Sequence, residues 1–159
     1  MLCLPRSRGD RPITIRMEIK RTALVLHSAM DMFRLVQDVL SYPEFLSWCT
    51  RSELHEQTSD QQLATLEVKV SGINQKFTTR NRFVPGEQLT MSLVDGPFRR
   101  LSGEWQFEQL GEDGCKITLA LEFDFSSRVL SSAFRRGFTH IADRLVSDFC
   151  QRADVFYGR

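Results

Sequence analysis

The stretch from Ser126 to Arg159 constrains the fold more than any other. Leu130, Phe134, Phe138, Ile141, Ala142, Leu145, Phe149, Ala153 and Phe156 recur at steps of three and four. That spacing predicts an apolar stripe on one helix of roughly 28 residues, about 40 Å long. Arg135, Arg136, Asp143, Arg144, Asp148, Gln151 and Arg152 fall on the other side. Ser126 and Ser127 precede the first apolar position and are the expected caps of the exposed amides. So long a stripe needs an equally long apolar surface to cover it. A curved antiparallel sheet wrapped around the helix is the economical solution.

The rest of the chain supplies such a sheet. Glu18 to Leu26 reads as a first strand. Ser28, with Asp31 three residues on, opens a helix whose apolar face is Met32, Phe33, Val36, Val39 and Leu40. Pro43 suits the first turn of a second short helix, Pro43 to Ser47. From Cys49 the period becomes two. Cys49 to Gln57 is polar and reads as an edge strand. Strands follow at Ala64–Val70, Ile73–Phe83, Leu89–Leu93, Leu101–Phe107 and Cys115–Phe125. Short turns at Ser71-Gly72, Pro85-Gly86, Asp95-Gly96-Pro97 and Gly111–Gly114 join them, which makes the sheet an antiparallel meander. The predicted class is α+β: about seven strands, two short helices after strand one, and a long C-terminal helix.

A chain of 159 residues is one domain with a real core. Residues 1–16 carry Arg6, Arg8, Arg11 and Arg16 against Asp10, two prolines and no periodicity. They are expected to be a disordered extension to a domain spanning 17–159. That stretch holds +3 of a net charge of +1, so the remainder is −2. A slightly acidic body argues against broad electrostatic binding to nucleic acid, and DNA is not an expected partner. Cys3, Cys49, Cys115 and Cys150 show neither paired nor metal-ligand spacing. They read as free thiols of a cytoplasmic protein, and no metal site is expected.

Catalytic chemistry is sparse. His27, His55 and His140 read as surface or turn residues, with no oriented nucleophile beside them. The inward row of the Ile73–Phe83 strand is unusual, because Gln75, Thr79 and Asn81 share it with Ile73, Phe77 and Phe83. Either the strand lies near a sheet end and those groups are wet, or they face a cavity between sheet and helix. In the cavity reading Phe77, Trp105, Phe107, Leu121, Phe138, Leu145 and Phe149 are the apolar walls, and Gly103 leaves space between them. Arg80, Arg82, Arg99, Arg100, Arg128, Arg135 and Arg136 form a second group. They are either a solvated surface or a patch that meets RNA phosphates or acidic lipid headgroups.

Two segments carry a resemblance. Ser41-Tyr42-Pro43-Glu44-Phe45-Leu46-Ser47-Trp48-Cys49 is similar to a signature of the coenzyme Q-binding START-domain proteins. So is Asp95-Gly96-Pro97-Phe98-Arg99-Arg100-Leu101-Ser102-Gly103-Glu104-Trp105-Gln106-Phe107. The final strand and helix resemble that family too, and the element order resembles the wider helix-grip, Bet v 1-like superfamily. The resemblance implies non-catalytic binding of a hydrophobic ligand, ubiquinone or a similar polyprenyl lipid, between sheet and C-terminal helix, in support of respiration. It implies a cytoplasmic protein in transient contact with a membrane surface, peripheral to the inner membrane. As the alternative, the bacterial branch it most resembles implies a toxin that binds the large ribosomal subunit and blocks subunit joining. A polyketide cyclase-type enzyme is the third reading. The family has no agreed catalytic residues, so none are assigned.

Overall fold

The computed structural model describes residues 16–126 and 131–158. In chain order the elements are β1 (Met17–Val25), α1 (Ala29–Gln37), a 3₁₀ turn (Val39–Ser41), α2 (Tyr42–Phe45), β2 (Cys49–Gln57), β3 (Gln61–Val70), β4 (Ile73–Val84), β5 (Gln88–Asp95), β6 (Phe98–Leu110), β7 (Gly114–Phe125) and α3 (Ser132–Tyr157). The seven strands form one antiparallel sheet in the order β1-β7-β6-β5-β4-β3-β2. This is the predicted α+β helix-grip architecture, and the polar β2 is an edge strand as its pattern implied. The alternation on β4 holds: Phe77, Thr79, Asn81 and Phe83 are buried, while Asn74, Lys76, Arg82 and Val84 face water. The turn after β4 needs glycine: Gly86 has φ +74°, and a Cβ there would come within 2.9 Å of the Met30 methyl.

Two aromatic clusters join sheet to helix. Phe138 of α3 sits 4.9 Å from Phe98 and 5.2 Å from Phe123, ring to ring. Phe149, three turns on, meets Trp105 at 5.3 Å and Phe45 and Tyr42 at 5.4 Å. Such tilted and edge-on pairs add to the burial that closes the sheet on the helix. Phe33 of α1 lies 5.8 Å from both Phe83 and Phe107 and seals the opposite end.

The helix differs from its sequence pattern in three respects. It starts later: Ser131 is the cap, its Oγ accepting from the Phe134 N–H at 3.2 Å. Ser126 instead donates its N–H to the Pro97 carbonyl at 3.0 Å, which ties β7 to the β5–β6 turn. Ser127, Arg128, Val129 and Leu130, and residues 1–15, lie outside the described residues. Second, Val146 is buried and Phe156 is 60% exposed. The buried line follows the i+4 row Phe134–Phe138–Ala142–Val146, which drifts about 40° per step around the axis, as a helix crossing a twisted sheet requires. Ala153 and the half-buried Tyr157 take the inward places at the C-terminus, with the Tyr157 hydroxyl donating to the Asp31 carbonyl at 3.1 Å. Third, Arg152, assigned to the solvated face, keeps only 18% of its side chain exposed.

His27 also departs from expectation. It is buried, and its Nε2 lies 2.7 Å from Asp154 Oδ1. The contact joins residues 127 positions apart, which no local pattern reveals. His55 and His140 are exposed.

Candidate functional site: the sheet–helix interior and the basic end

The ten residues assigned to the interior converge there. Phe77, Thr79, Asn81, Trp105, Phe107, Leu121, Phe138 and Phe149 are buried, and Gln75 and Leu145 are half-buried. They also pack on one another. Phe77 meets Phe98 at 5.6 Å and Phe138 at 6.3 Å, while Trp105 stacks on Phe107 at 6.3 Å. The space foreseen over Gly103 is taken up: a Cβ there would meet the Met91 methyl at 2.5 Å and Leu121 Cδ1 at 3.0 Å.

The polar row of β4 is spoken for as well. Thr79 Oγ1 donates to Asn81 Oδ1 at 2.9 Å, and Asn81 Nδ2 donates to Gln62 Oε1 at 2.9 Å. Gln62, fully buried, donates in turn to the Gln37 carbonyl at 3.1 Å and to Gln57 Oε1 at 3.3 Å. The chain of bonds runs from β4 through β3 to the end of α1. Satisfied in this way, buried amides hold elements in register rather than penalise the fold. Gln62 escaped the sequence reading because β3 begins three residues before the alternating Ala64–Val70 run. Burial raises the pKa of Tyr42, with further upward pushes from Cys49 and Asp38, and its hydroxyl donates to the Val36 carbonyl. The signature tyrosine therefore works as a neutral anchor between α2 and α1.

The arginines separate into two groups. Arg80 and Arg82 lie on the outer face of the sheet, and Arg80 reaches Gln61 Oε1 at 3.1 Å and Glu56 at 3.4 Å. Arg99 and Arg100 lie at the start of β6, and Arg135 and Arg136 near the start of α3. Phe98 stacks on Phe125 at 5.5 Å, and the Arg135 guanidinium lies 5.9 Å from the Phe125 ring. These four arginines thus belong to one end of the molecule. Arg99 is 4.0 Å from the buried Asp124, whereas Arg100 and Arg136 have no ion-pair partner among the described residues.

Depressions open elsewhere among the described residues, one of about 700 Å³ over β1, β7, β6 and β5, lined in part by Met91, Gly103 and Leu121. A groove of about 430 Å³ runs between the free edge of β1 and α3, with Val146 and Cys150 in it. A cleft of about 510 Å³ lies between the α1–α2 connection, β2 and the end of α3. Among the described residues no three His, Cys, Asp or Glu side chains gather as metal ligands, and no helix is long and apolar enough to cross a membrane.

A curved sheet gripping one long helix, with an aromatic interior, defines a START-like ligand-binding domain. The chain belongs to the polyketide cyclase / dehydrase and lipid transport family, whose model matches residues 25–150. It is 45% identical over 140 residues to the ribosome association toxin RatA of Pseudomonas aeruginosa, covering 88% of this chain and 97% of the relative. It is 30% identical over 132 residues to the mitochondrial coenzyme Q-binding protein COQ10 of Drosophila melanogaster, covering 80% of this chain and 54% of the relative. The Zhui aromatase/cyclase from Streptomyces sp. R1128 shares the fold, with a TM-score of 0.76 at 18% identity over 88% of this chain and 94% of that one.

Proposed function

We propose that this chain is a non-catalytic, cytoplasmic protein that associates with the ribosome through the basic end formed by Arg99, Arg100, Arg135 and Arg136. The observation that carries this reading is the 45% identity along 97% of a protein named for ribosome association. The likeness to the coenzyme Q-binding relative is weaker and spans about half of it. Four guanidinium groups on an otherwise acidic body give a local site for RNA phosphates. The target follows the resemblance and is the large subunit. Co-sedimentation of the purified protein with large subunits at two salt concentrations is the test. Arg100→Glu with Arg136→Glu removes two cations that no described carboxylate needs, so the fold is undisturbed. Binding at low salt falls steeply, and the salt slope drops by a little under one unit per lost phosphate contact. A wild-type protein that stays in the supernatant at both salts ends this reading.

A second reading rests on the coenzyme Q-binding relative and on the family's lipid-transport members: the interior holds ubiquinone or a similar polyprenyl lipid. Phe77, Trp105, Leu121, Leu145 and Phe149 would line the isoprenoid chain. The Thr79 hydroxyl is engaged by Asn81, which leaves Gln75 and the second N–H of Asn81 as donors for the ring carbonyls. The groove beside β1 is the way in. Extraction of lipid from natively purified protein tests it.

A further inference from the structure

The cleft at the C-terminal end of α3 holds a cation with too few partners. The Arg152 side chain is 18% exposed, and its Nε is buried without a hydrogen-bond partner. Its guanidinium lies 4.9 Å from the Phe45 ring and 5.3 Å from the Phe156 ring, so two π faces fix its plane. Its sole ion pair among the described residues is Glu44 at 3.7 Å, beyond hydrogen-bonding distance, and that carboxylate is 63% exposed. A guanidinium has five donors in a planar fork, and desolvating it without acceptors is costly. An oxyanion is the group that fits the fork, because two of its oxygens pair with two parallel N–H groups.

The walls around this cation are apolar. Leu35, Val39 and Leu54 line the floor and sides, and Leu40 and Phe156 stand exposed at the rim. Arg34, at the mouth, is 64% exposed and paired with Asp31 at 3.7 Å, so its charge is compensated and Arg152 is the cation that defines the site. Asp38 also borders the cleft and adds a carboxylate, which accepts from the Ser41 hydroxyl at 2.6 Å, so recognition of the head rests on the Arg152 fork and not on the net charge of the cleft. A volume of about 510 Å³ suits a small molecule. The cleft lies away from the basic end, and it meets the polar row of β4 through Gln37 and Gln57, which line it and accept from Gln62.

We infer that this cleft is a binding site for an amphipathic anion, with a carboxylate or phosphate head on Arg152 and an aliphatic chain along Leu35, Leu40, Leu54 and Phe156. The site is separate from the sheet–helix interior and stands whether or not the chain binds ribosomes.

The experiment titrates the full-length protein with dodecanoate and with dodecyl phosphate below their micellar concentrations. Binding is read by calorimetry and by the NMR shifts of the Arg152 Nε–H and the Leu40 and Phe156 amides. Saturable one-to-one binding that shifts these signals, and leaves the Trp105 indole N–H in place, supports the site. The stronger of the two ligands identifies the head as carboxylate or phosphate. Arg152→Gln lowers affinity about tenfold or more, the loss of a charge-assisted pair. Leu40→Glu, at a 54% exposed position where folding is not at stake, weakens both ligands by repelling the head and shortening the apolar wall. Dodecyltrimethylammonium and acetate, each carrying half of the chemistry, bind at least tenfold more weakly. The inference falls if neither anion binds the wild type, if folded Leu40→Glu and Arg152→Gln proteins bind as the wild type does, or if the shifts appear at Trp105 instead.

Discussion

Asn81 is where one side chain decides most. It accepts from Thr79 and donates to Gln62, all inside a region otherwise filled by aromatic rings. Asn81→Leu keeps the volume but strands the Gln62 oxygen and the Thr79 hydroxyl. The expected cost is about 1–3 kcal/mol, read as a lower urea midpoint. Adding Gln62→Leu removes the stranded partner, so the double variant loses less than the sum of the single ones. The thiols give a second test at this scale. Burial raises Cys49, Cys115 and Cys150 to about 11, so all three are neutral at ordinary pH. Alkylation of these three by iodoacetamide at pH 8 is therefore slow in the native protein and fast in urea. The linkage has a definite sign. A raised pKa means the fold prefers the protonated thiol, so stability from these groups is full below pH 9 and is lost as the pH rises through 11. The polar row of β4 was legible from alternation, because Thr79 and Asn81 share a face with Phe77. Its partner Gln62 was not, since Ser59-Asp60-Gln61-Gln62 ahead of an apolar run looks like a turn. The His27–Asp154 contact and the enclosure of Arg152 were equally out of reach, because each depends on where the far end of α3 arrives.

At the scale of elements, α3 and β3 approach each other through Gly137. A Cβ at that position would overlap Val70 Cγ1, a buried side chain on the strand. Gly137→Ala therefore sets two effects against each other. Alanine favours the helix by about 1 kcal/mol. The overlap with a β-branched core residue costs about 1–3 kcal/mol, because neither backbone can retreat cheaply. The net expectation is a lower thermal midpoint. Val70→Ala in the same chain provides room and restores most of the loss; a Gly137→Ala protein that is more stable than the wild type would show that the helix shifts freely. The period-two runs gave β3 to β7 and the three-and-four stripe gave the long helix, while β1 was read from its aliphatic content and β2 from its polarity. The helix start was not, because Ser126, Ser127 and Ser131 all have the chemistry of a cap. Of the two that are described, Ser131 has its oxygen over the first turn, and Ser126 is drawn to Pro97 instead.

At the scale of the whole molecule, α3 links two unlike ends. Its 26 residues span about 39 Å, from Arg135 and Arg136 at the start to Arg152 and Phe156 at the finish. Leu24, Leu26, Met30, Leu40, Val155 and Phe156 are exposed toward the far end, where β1, α1 and α3 meet. The aromatic interior lies between. Architecture could be read from the chain, because it follows from element order, whereas the arginines grouped in the sequence are split, with Arg80 and Arg82 on the outer face of β4. Whether the interior is filled could not, because Met91, Leu121 and the rings close on Gly103 only in three dimensions. The separation makes the two functional readings independently testable. Leu145 is half-buried on α3 and packs against the core, well away from Arg100 at the start of β6. Leu145→Trp adds bulk on the inner side of the helix and obstructs any chamber there, at a cost of about 1–3 kcal/mol in stability. If the chain acts on ribosomes through its basic end, the folded Leu145→Trp protein co-sediments with large subunits as the wild type does, while Arg100→Glu with Arg136→Glu does not. If the interior carries a polyprenyl quinone, the pattern reverses. Lipid extracted from Leu145→Trp then lacks ubiquinone, and the arginine variant retains it. Loss of ribosome association in a folded Leu145→Trp protein would show that the interior and the basic end are coupled through α3, and the reading of the basic end as an autonomous surface would be wrong.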